Sequence, residues 1–408
     1  MRLTDEERAM LDGAHGRPVR KAMEIVTALG TIYEAEDLVA VSHVQVSGVS
    51  YQNLGEAGLE FLREWAGLGA RVQVPTTLNP AGMDVAQWAE MGVSYEFAAQ
   101  QQAVLDVFAA MGITLTCTCT PYLVGFAPAY GDHLAWGESS AVSFANSVLG
   151  ARTNREGGPG ALAAAITGRT ARYGLHLEQN RLPTCVVDVD CPVRDSSEFG
   201  ALGYLAGRAV KNGVPYFRGL DPAACTPGSL KALGAAAAAS GAVALYHVEG
   251  VTPEARQRPE IGDMREVGEA QVITIDSLDE GYAALGLELE PFNLQLDLVW
   301  IGCPHASLDE IAFVAARLEG KTLRVPVWIT AARQVRQQAA QRGYLQIIER
   351  AGGRIVSDTC LVVAPVRDMG VQRLATNSAK GAFYGPSHAG LEVCFGSTEQ
   401  CLQAALDL

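Results

Sequence analysis

Basic residues are scarce in this chain: 31 Lys and Arg stand against 45 Asp and Glu, for a formal net charge of −14. That balance excludes nonspecific nucleic-acid binding, which needs Lys and Arg along the phosphates. An anionic substrate remains compatible with it if Lys or Arg gather locally at a site. Charges of both signs make up only 19% of the residues while 49% are hydrophobic, which excludes a disordered chain. Long apolar runs are missing too. The best candidate, Ala232 to Tyr246, is interrupted by Gly234, Ser240 and Gly241 and is too short to span a bilayer. The opening residues, Met1-Arg-Leu-Thr-Asp-Glu-Glu-Arg8, carry no apolar signal core. A cytoplasmic protein with no membrane partner is expected.

Familiar cofactor motifs are absent as well. No Gly-x-Gly-x-x-Gly follows the first strand, and Gly320-Lys-Thr322 lacks the earlier P-loop glycine because Ala315 stands there. There is no Cys-x-x-Cys pair, so zinc ribbons and thioredoxin motifs are unsupported. No Gly-x-Ser-x-Gly elbow occurs. Nine cysteines in a reducing compartment do not argue for disulfides.

What is present is alternation. Strands are expected at Leu38–Val46, Ala70–Pro75, Ile113–Cys119, Thr184–Val189, Ala242–Val248, Gln271–Ile275, Leu296–Ile301, Val325–Thr330 and Arg354–Val363. Helices are expected between them, with capping boxes at Thr4-Asp-Glu-Glu7 and Ser307-Leu-Asp-Glu310. This pattern predicts an α/β fold of largely parallel sheets, with ligands beyond the carboxyl ends of strands. The 408 residues suffice for two or three packed units, with breaks expected near 190–197 and 250–262.

Three cysteines lie where strands hand over to loops: Cys119 in Thr116-Cys-Thr-Cys-Thr-Pro-Tyr122, Cys303 in Ile301-Gly-Cys-Pro-His305, and Cys360 in Ser357-Asp-Thr-Cys360. Taken together they form a candidate metal centre with one side open to substrate. Cys117 alternates with Cys119 and faces the other side, so it is the alternative ligand. A cysteine nucleophile, Cys303 with His305, is a competing reading, although such pairs seldom come from near neighbours in sequence. His305 is a candidate acid–base group or a residue fixing the Cys303 turn.

A second constellation is Trp136 to Pro159, which holds Glu138, Ser139, Asn146, Arg152 and Arg155; paired Arg suits a carboxylate or phosphate. A third is Ala375 to Pro386, read as a segment too Gly-rich for a helix, in which Lys380 would meet an anion or developing charge. The turns Ser47-Gly-Val-Ser-Tyr51 and Thr76-Thr-Leu-Asn-Pro80 follow strands and offer hydroxyl and amide groups.

Together, Val46 to Tyr51, Pro75 to Pro80, Cys117 to Tyr122, Glu138 to Pro159, Gly302 to His305 and Thr376 to Lys380 resemble the large subunit of the aconitase X family. The resemblance implies an aconitase-like arrangement of α/β/α units around a central cleft. It implies a hydro-lyase acting on a hydroxy acid, with Cys119, Cys303 and Cys360 as ligands of an iron centre. An iron–sulfur cluster of 4Fe–4S type is expected, with 2Fe–2S or mononuclear iron as alternatives. Expected substrate contacts are Ser47, Gly48, Thr76, Thr77, Asn79, Glu138, Ser139, Asn146, Arg152, Arg155, Ser378 and Lys380, with Lys380 and His305 as catalytic candidates. A small subunit outside this chain would bring a proton-abstracting serine and a swivelling lid. Within the family, Cys117-Thr-Cys119, Arg155-Glu-Gly-Gly-Pro159 and the unfused length resemble the branch that acts on mevalonate 5-phosphate. The branch acting on cis-3-hydroxy-L-proline is the alternative. A non-catalytic or metal-free binding subunit is the reading from another class.

Overall fold

Three parallel sheets organise the chain, and all three are wound by the same rule. The computed structural model describes residues 1–262, 271–286 and 295–406. The largest sheet has the spatial order Arg354–Ser357, Val327–Ala331, Leu298–Ile301, Arg373–Thr376, Glu392–Phe395. Its first strand in sequence is central, so the chain winds out to one edge, returns, and winds out to the other. A four-stranded sheet follows the order His247–Val248, Pro215–Arg218, Cys185–Val189, Gln271–Ile275. A three-stranded sheet follows Thr76–Leu78, His43–Val46, Leu134–Trp136. In each, the earliest strand borders the strand that begins the return branch. That boundary opens a crevice at the carboxyl ends, where α/β sheets bind ligands.

The central strand Leu298–Ile301 explains its own position. All four residues are buried. Leu298 and Trp300 enter a core with Val187, Phe199, Leu233 and Leu374, which joins the four- and five-stranded sheets. Val299 and Ile301 enter a core with Ile311, Ile329 and Ile348 on the opposite face. A continuous apolar run is what a strand covered on both sides requires. A separate core around Val44, Leu59, Trp65, Phe108 and Leu162 holds the three-stranded sheet.

Several elements differ from the sequence expectation. Leu38–Val46 is two strands: Leu38–Ala40 pairs antiparallel with Arg169–Ala171, and His43–Val46 joins the parallel sheet. Ala70–Pro75 is not a strand; Pro75 has no N–H, and the ladder begins at Thr76. Ile113–Cys119 runs beside Thr76–Leu78 with a single bridge, Thr77 to Thr114. The Thr116 hydroxyl there takes the N–H of Leu78 at 3.1 Å, and Cys117 has a positive φ of 43°. Of Ala242–Val248 only His247–Val248 pairs. Arg354–Val363 stops at Ser357, because Asp358 turns left-handed at φ 65°. The Gly-rich segment around Lys380 is a helix, Ala379–Ala389, capped by Ser378. Its glycines serve close packing: a Cβ on Gly385 would lie 2.7 Å from Val393. Tertiary contact outweighs low helix propensity there. The candidate breaks 190–197 and 250–262 both fall between strands of the four-stranded sheet. No helix among the described residues is long and apolar enough to cross a membrane.

Candidate active site

The crevice of the five-stranded sheet lies between the loop after Leu298–Ile301 and the loop after Arg373–Thr376. The first loop carries Cys303; the second ends at Ser378, the cap of the helix whose second residue is Lys380. Gly302 makes the exit turn at φ 96°, and a Cβ there would sit 2.4 Å from the Thr330 carbonyl. Only glycine fits that turn. The Ser378 hydroxyl donates to the Cys303 carbonyl and closes the crevice.

Cys119 and Cys360 arrive at the same place from other loops. The His305 N–H donates to Cys119 Sγ at 3.2 Å. Cys360 and Cys303 are in hydrogen-bonding contact, which keeps the proton on Cys360 and pulls the Cys303 thiol below its ordinary range against the effect of burial. Burial pushes Cys119 up to about 12. All three are buried. Cys117 points away, into the apolar core of the three-stranded sheet. Among the described residues no group of His, Cys, Asp and Glu stands ready-made to hold a metal ion. The three thiols come near one another without forming such a group, and the Cys119 and Cys360 thiols are held in their protonated form. Soft donors of this kind suit an iron–sulfur cluster, whose binding would displace their protons.

The crevice of the three-stranded sheet supplies the other wall. Asn79 follows Thr76–Leu78, Glu138 follows Leu134–Trp136, and Ser47 follows His43–Val46. Asn79 Nδ2 donates to Glu138 at 2.8 Å, and Glu138 pairs with Lys380 across the two sheets. Ser139 and Ser140 hydroxyls stand 3.4 Å from Lys380 Nζ. Burial alone would raise the Glu138 carboxyl, but the Lys380 charge and the bonds from Lys380, Asn79 and the Ser140 N–H bring it down to about 2. Lys380 is held above its usual value, because Glu138 and the nearby sulfurs outweigh burial.

Other expected contacts lie elsewhere. Thr76 and Thr77 give their hydroxyls to the carbonyls of Val74 and Val44 and are buried. All four hydrogen-bonding positions of Asn146 are used, by Thr153, Ala244 and Arg181. Arg152 pairs with Glu178 and reaches the His176 carbonyl at 3.4 Å. Arg155 and Gly48 are exposed, and Arg155 has no ion pair among the described residues. Arg152→Ala is therefore expected to cost about 1 kcal/mol at most and to leave turnover within a factor of about two. Steady-state kinetics and a urea melt on this variant check both numbers.

His305 is fully buried, and burial pushes it down to about 4. Its Nδ1 lies 2.9 Å from the Thr118 hydroxyl and its Nε2 2.8 Å from the Thr359 carbonyl. Neither nitrogen is free for substrate, so the geometry supports neither an acid–base role nor a partner for a nucleophilic Cys303. Sequence reasoning missed Lys231, which is buried and donates to the His305 carbonyl at 3.0 Å and to Glu310 at 2.5 Å. The signal was present: Lys231 is the one charge in the helix Pro227–Gly241, otherwise made of small and apolar residues.

Beside Cys303 a small recess containing Ser378 and Lys380 adjoins a cavity of about 620 Å³. Ser196, Lys231, Glu310 and Asn377 line both. That volume is in the range of small-molecule sites, roughly 300–1,000 Å³.

Comparison with known proteins agrees with this architecture. Family models match the first domain of aconitase X over residues 1–179, the second over 183–282 and the third over 296–407. The phosphomevalonate dehydratase large subunit of Methanocaldococcus jannaschii is 46% identical, covering 99% of this chain and 100% of its own. The cis-3-hydroxy-L-proline dehydratase of Pseudomonas aeruginosa is 35% identical over 99% of this chain, but over 70% of its own length. The crystal structure of Thermococcus kodakaraensis aconitase X in its holo form superposes with a TM-score of 0.88 at 45% identity, covering 99% of this chain and 100% of that one. The chain belongs to the aconitase X family.

Proposed function

We propose that this chain is the large subunit of a hydro-lyase that dehydrates mevalonate 5-phosphate to trans-anhydromevalonate 5-phosphate. It works with a small subunit and with an iron–sulfur cluster, of 4Fe–4S type, held by Cys119, Cys303 and Cys360. The observation that carries this reading is the meeting of three thiols beside the Glu138–Lys380 pair, at the edge of a cavity. When bound, the cluster supplies a Lewis acid for the departing hydroxide.

The chain's own residues fix charge rather than move protons. Each partner favours the charged form of the other, holding the Glu138 carboxyl down and the Lys380 ammonium up, so the pair offers a fixed dipole to developing charge. Lys380, with the Ser139 and Ser140 hydroxyls 3.4 Å from its Nζ, suits a substrate carboxylate. Both ring nitrogens of His305 are hydrogen-bonded and Glu138 is paired with Lys380, so neither offers a free proton acceptor beside Cys303. This supports a base from outside the chain, the serine of a small subunit. Similarity supports the same branch: the mevalonate-type relative is 46% identical and the hydroxyproline enzyme 35%.

An anaerobic dehydration assay tests the proposal, with each substrate and with or without co-expressed small subunit. Turnover of mevalonate 5-phosphate is expected only when both chains are present. Full-rate turnover by this chain alone would remove the partner from the mechanism. Turnover of cis-3-hydroxy-L-proline alone would select the other branch, and turnover of neither would end the dehydratase reading.

A further inference from the structure

The three expected ligands come from loops that share one neighbour. Thr118 precedes Cys119, Thr359 precedes Cys360, and His305 follows Cys303 by two residues. The imidazole of His305 touches both threonines, at 2.9 Å and 2.8 Å, while the backbone N–H of the same residue meets Cys119 Sγ at 3.2 Å. One buried ring thus spans all three loops.

Proton inventory makes the arrangement directional. A carbonyl only accepts, so Nε2 carries the hydrogen donated to Thr359. Nδ1 is then the acceptor, and the Thr118 hydroxyl gives it its hydrogen. The Thr118 oxygen accepts in turn from the Thr120 N–H at 3.1 Å and from the Thr120 hydroxyl at 3.1 Å. Lys231 holds the His305 carbonyl from behind. Every polar atom of His305 has a partner, and each partner serves a cysteine loop or the helix starting at Leu308. Such a ring tolerates little displacement, because moving any loop leaves a buried polar atom unsatisfied.

We infer that His305 is a positioning residue that sets the spacing of Cys119, Cys303 and Cys360 before the cluster is loaded. The inference rests on those three thiols being the ligands. Groups behind metal ligands commonly contribute 10–100-fold to metal affinity. Removing the Thr118 or His305 contact is therefore expected to weaken iron retention about as much, without unfolding the apoprotein.

The experiment uses Thr118→Val and His305→Gln in the full chain, reconstituted anaerobically with iron and sulfide. Iron per chain, visible absorption and the chelator concentration that strips half the iron are read, together with apoprotein melting. Thr118→Val keeps the side-chain shape and removes the hydroxyl that bonds His305 Nδ1 and Thr120, so it is the decisive variant. The expected result is an apoprotein that still unfolds cooperatively, a few degrees lower at most, with half-stripping at about 10–100-fold less chelator. Wild-type chelator resistance in both variants would overturn the inference while leaving the iron site intact. Collapse of the Thr118→Val apoprotein would also overturn it, because the contact would then hold the fold rather than the thiols. Failure of the unmodified chain to take up iron would instead sink the ligand assignment itself.

Discussion

Cys303→Ser is expected to abolish turnover and to release the iron, while the chain still folds. Cys303 is the ligand candidate that lines the recess beside the cavity, and it lies at the switch point of the largest sheet. Lewis-acid assistance to a departing hydroxide is worth several kcal/mol. At about 1.4 kcal/mol per factor of ten, the loss should reach a thousandfold or more. Iron analysis and a single-turnover assay in the presence of the small subunit measure it. Cys117→Ser is the contrasting variant. Its thiol sits in an apolar core, so the change should cost about 1–3 kcal/mol of stability and leave iron content unchanged. If Cys117→Ser lost iron while Cys119→Ser kept it, the ligand assignment would be reversed.

The second large effect concerns the pair that joins two sheets. Glu138→Gln leaves Lys380 as a buried cation without its counter-charge, and Lys380→Met leaves a buried carboxylate. Each should destabilise the fold by about 3–5 kcal/mol, whereas the double variant should recover most of that loss. Urea unfolding of all four proteins gives the coupling energy. Simple additivity would mean that the two charges do not depend on each other. The acid limb of stability follows from the same pair. The Glu138 carboxyl is lowered in the fold from an ordinary 4.5 to about 2, so its contribution is complete above the unfolded value. It is lost as pH falls from about 4.5 towards 2, and Lys380→Met should flatten that limb.

Much of this site could be read from the chain before any coordinates. The three cysteines announced themselves by lying at loop starts, and Glu138 and Lys380 by their polar surroundings. What stayed hidden is where a side chain goes once its neighbours are fixed. Thr76 and Thr77 have the chemistry of substrate contacts, yet their hydroxyls turn back to the backbone carbonyls of Val74 and Val44. Arg152 resembles an anion clamp, but its anion is Glu178 of the same chain. Lys380 looked like a loop residue because glycines depress helix propensity; only the packing of Gly385 against Val393 shows why a helix is tolerated. His305 carried an acid–base signature that complete hydrogen bonding removes.

The loops tied by His305 are far apart in the chain: its contact with Thr118 spans 187 residues and that with Thr359 spans 54. During synthesis, therefore, Thr118 and Cys119 leave the ribosome long before their partners exist. Contacts of such high order form late, after local helices and sheet cores have condensed. A centre assembled from them cannot nucleate the fold in the way that zinc does in a short finger. The apoprotein must reach its shape unaided, and cofactor insertion becomes a separate step in the life of the molecule, open to control by whatever delivers the metal.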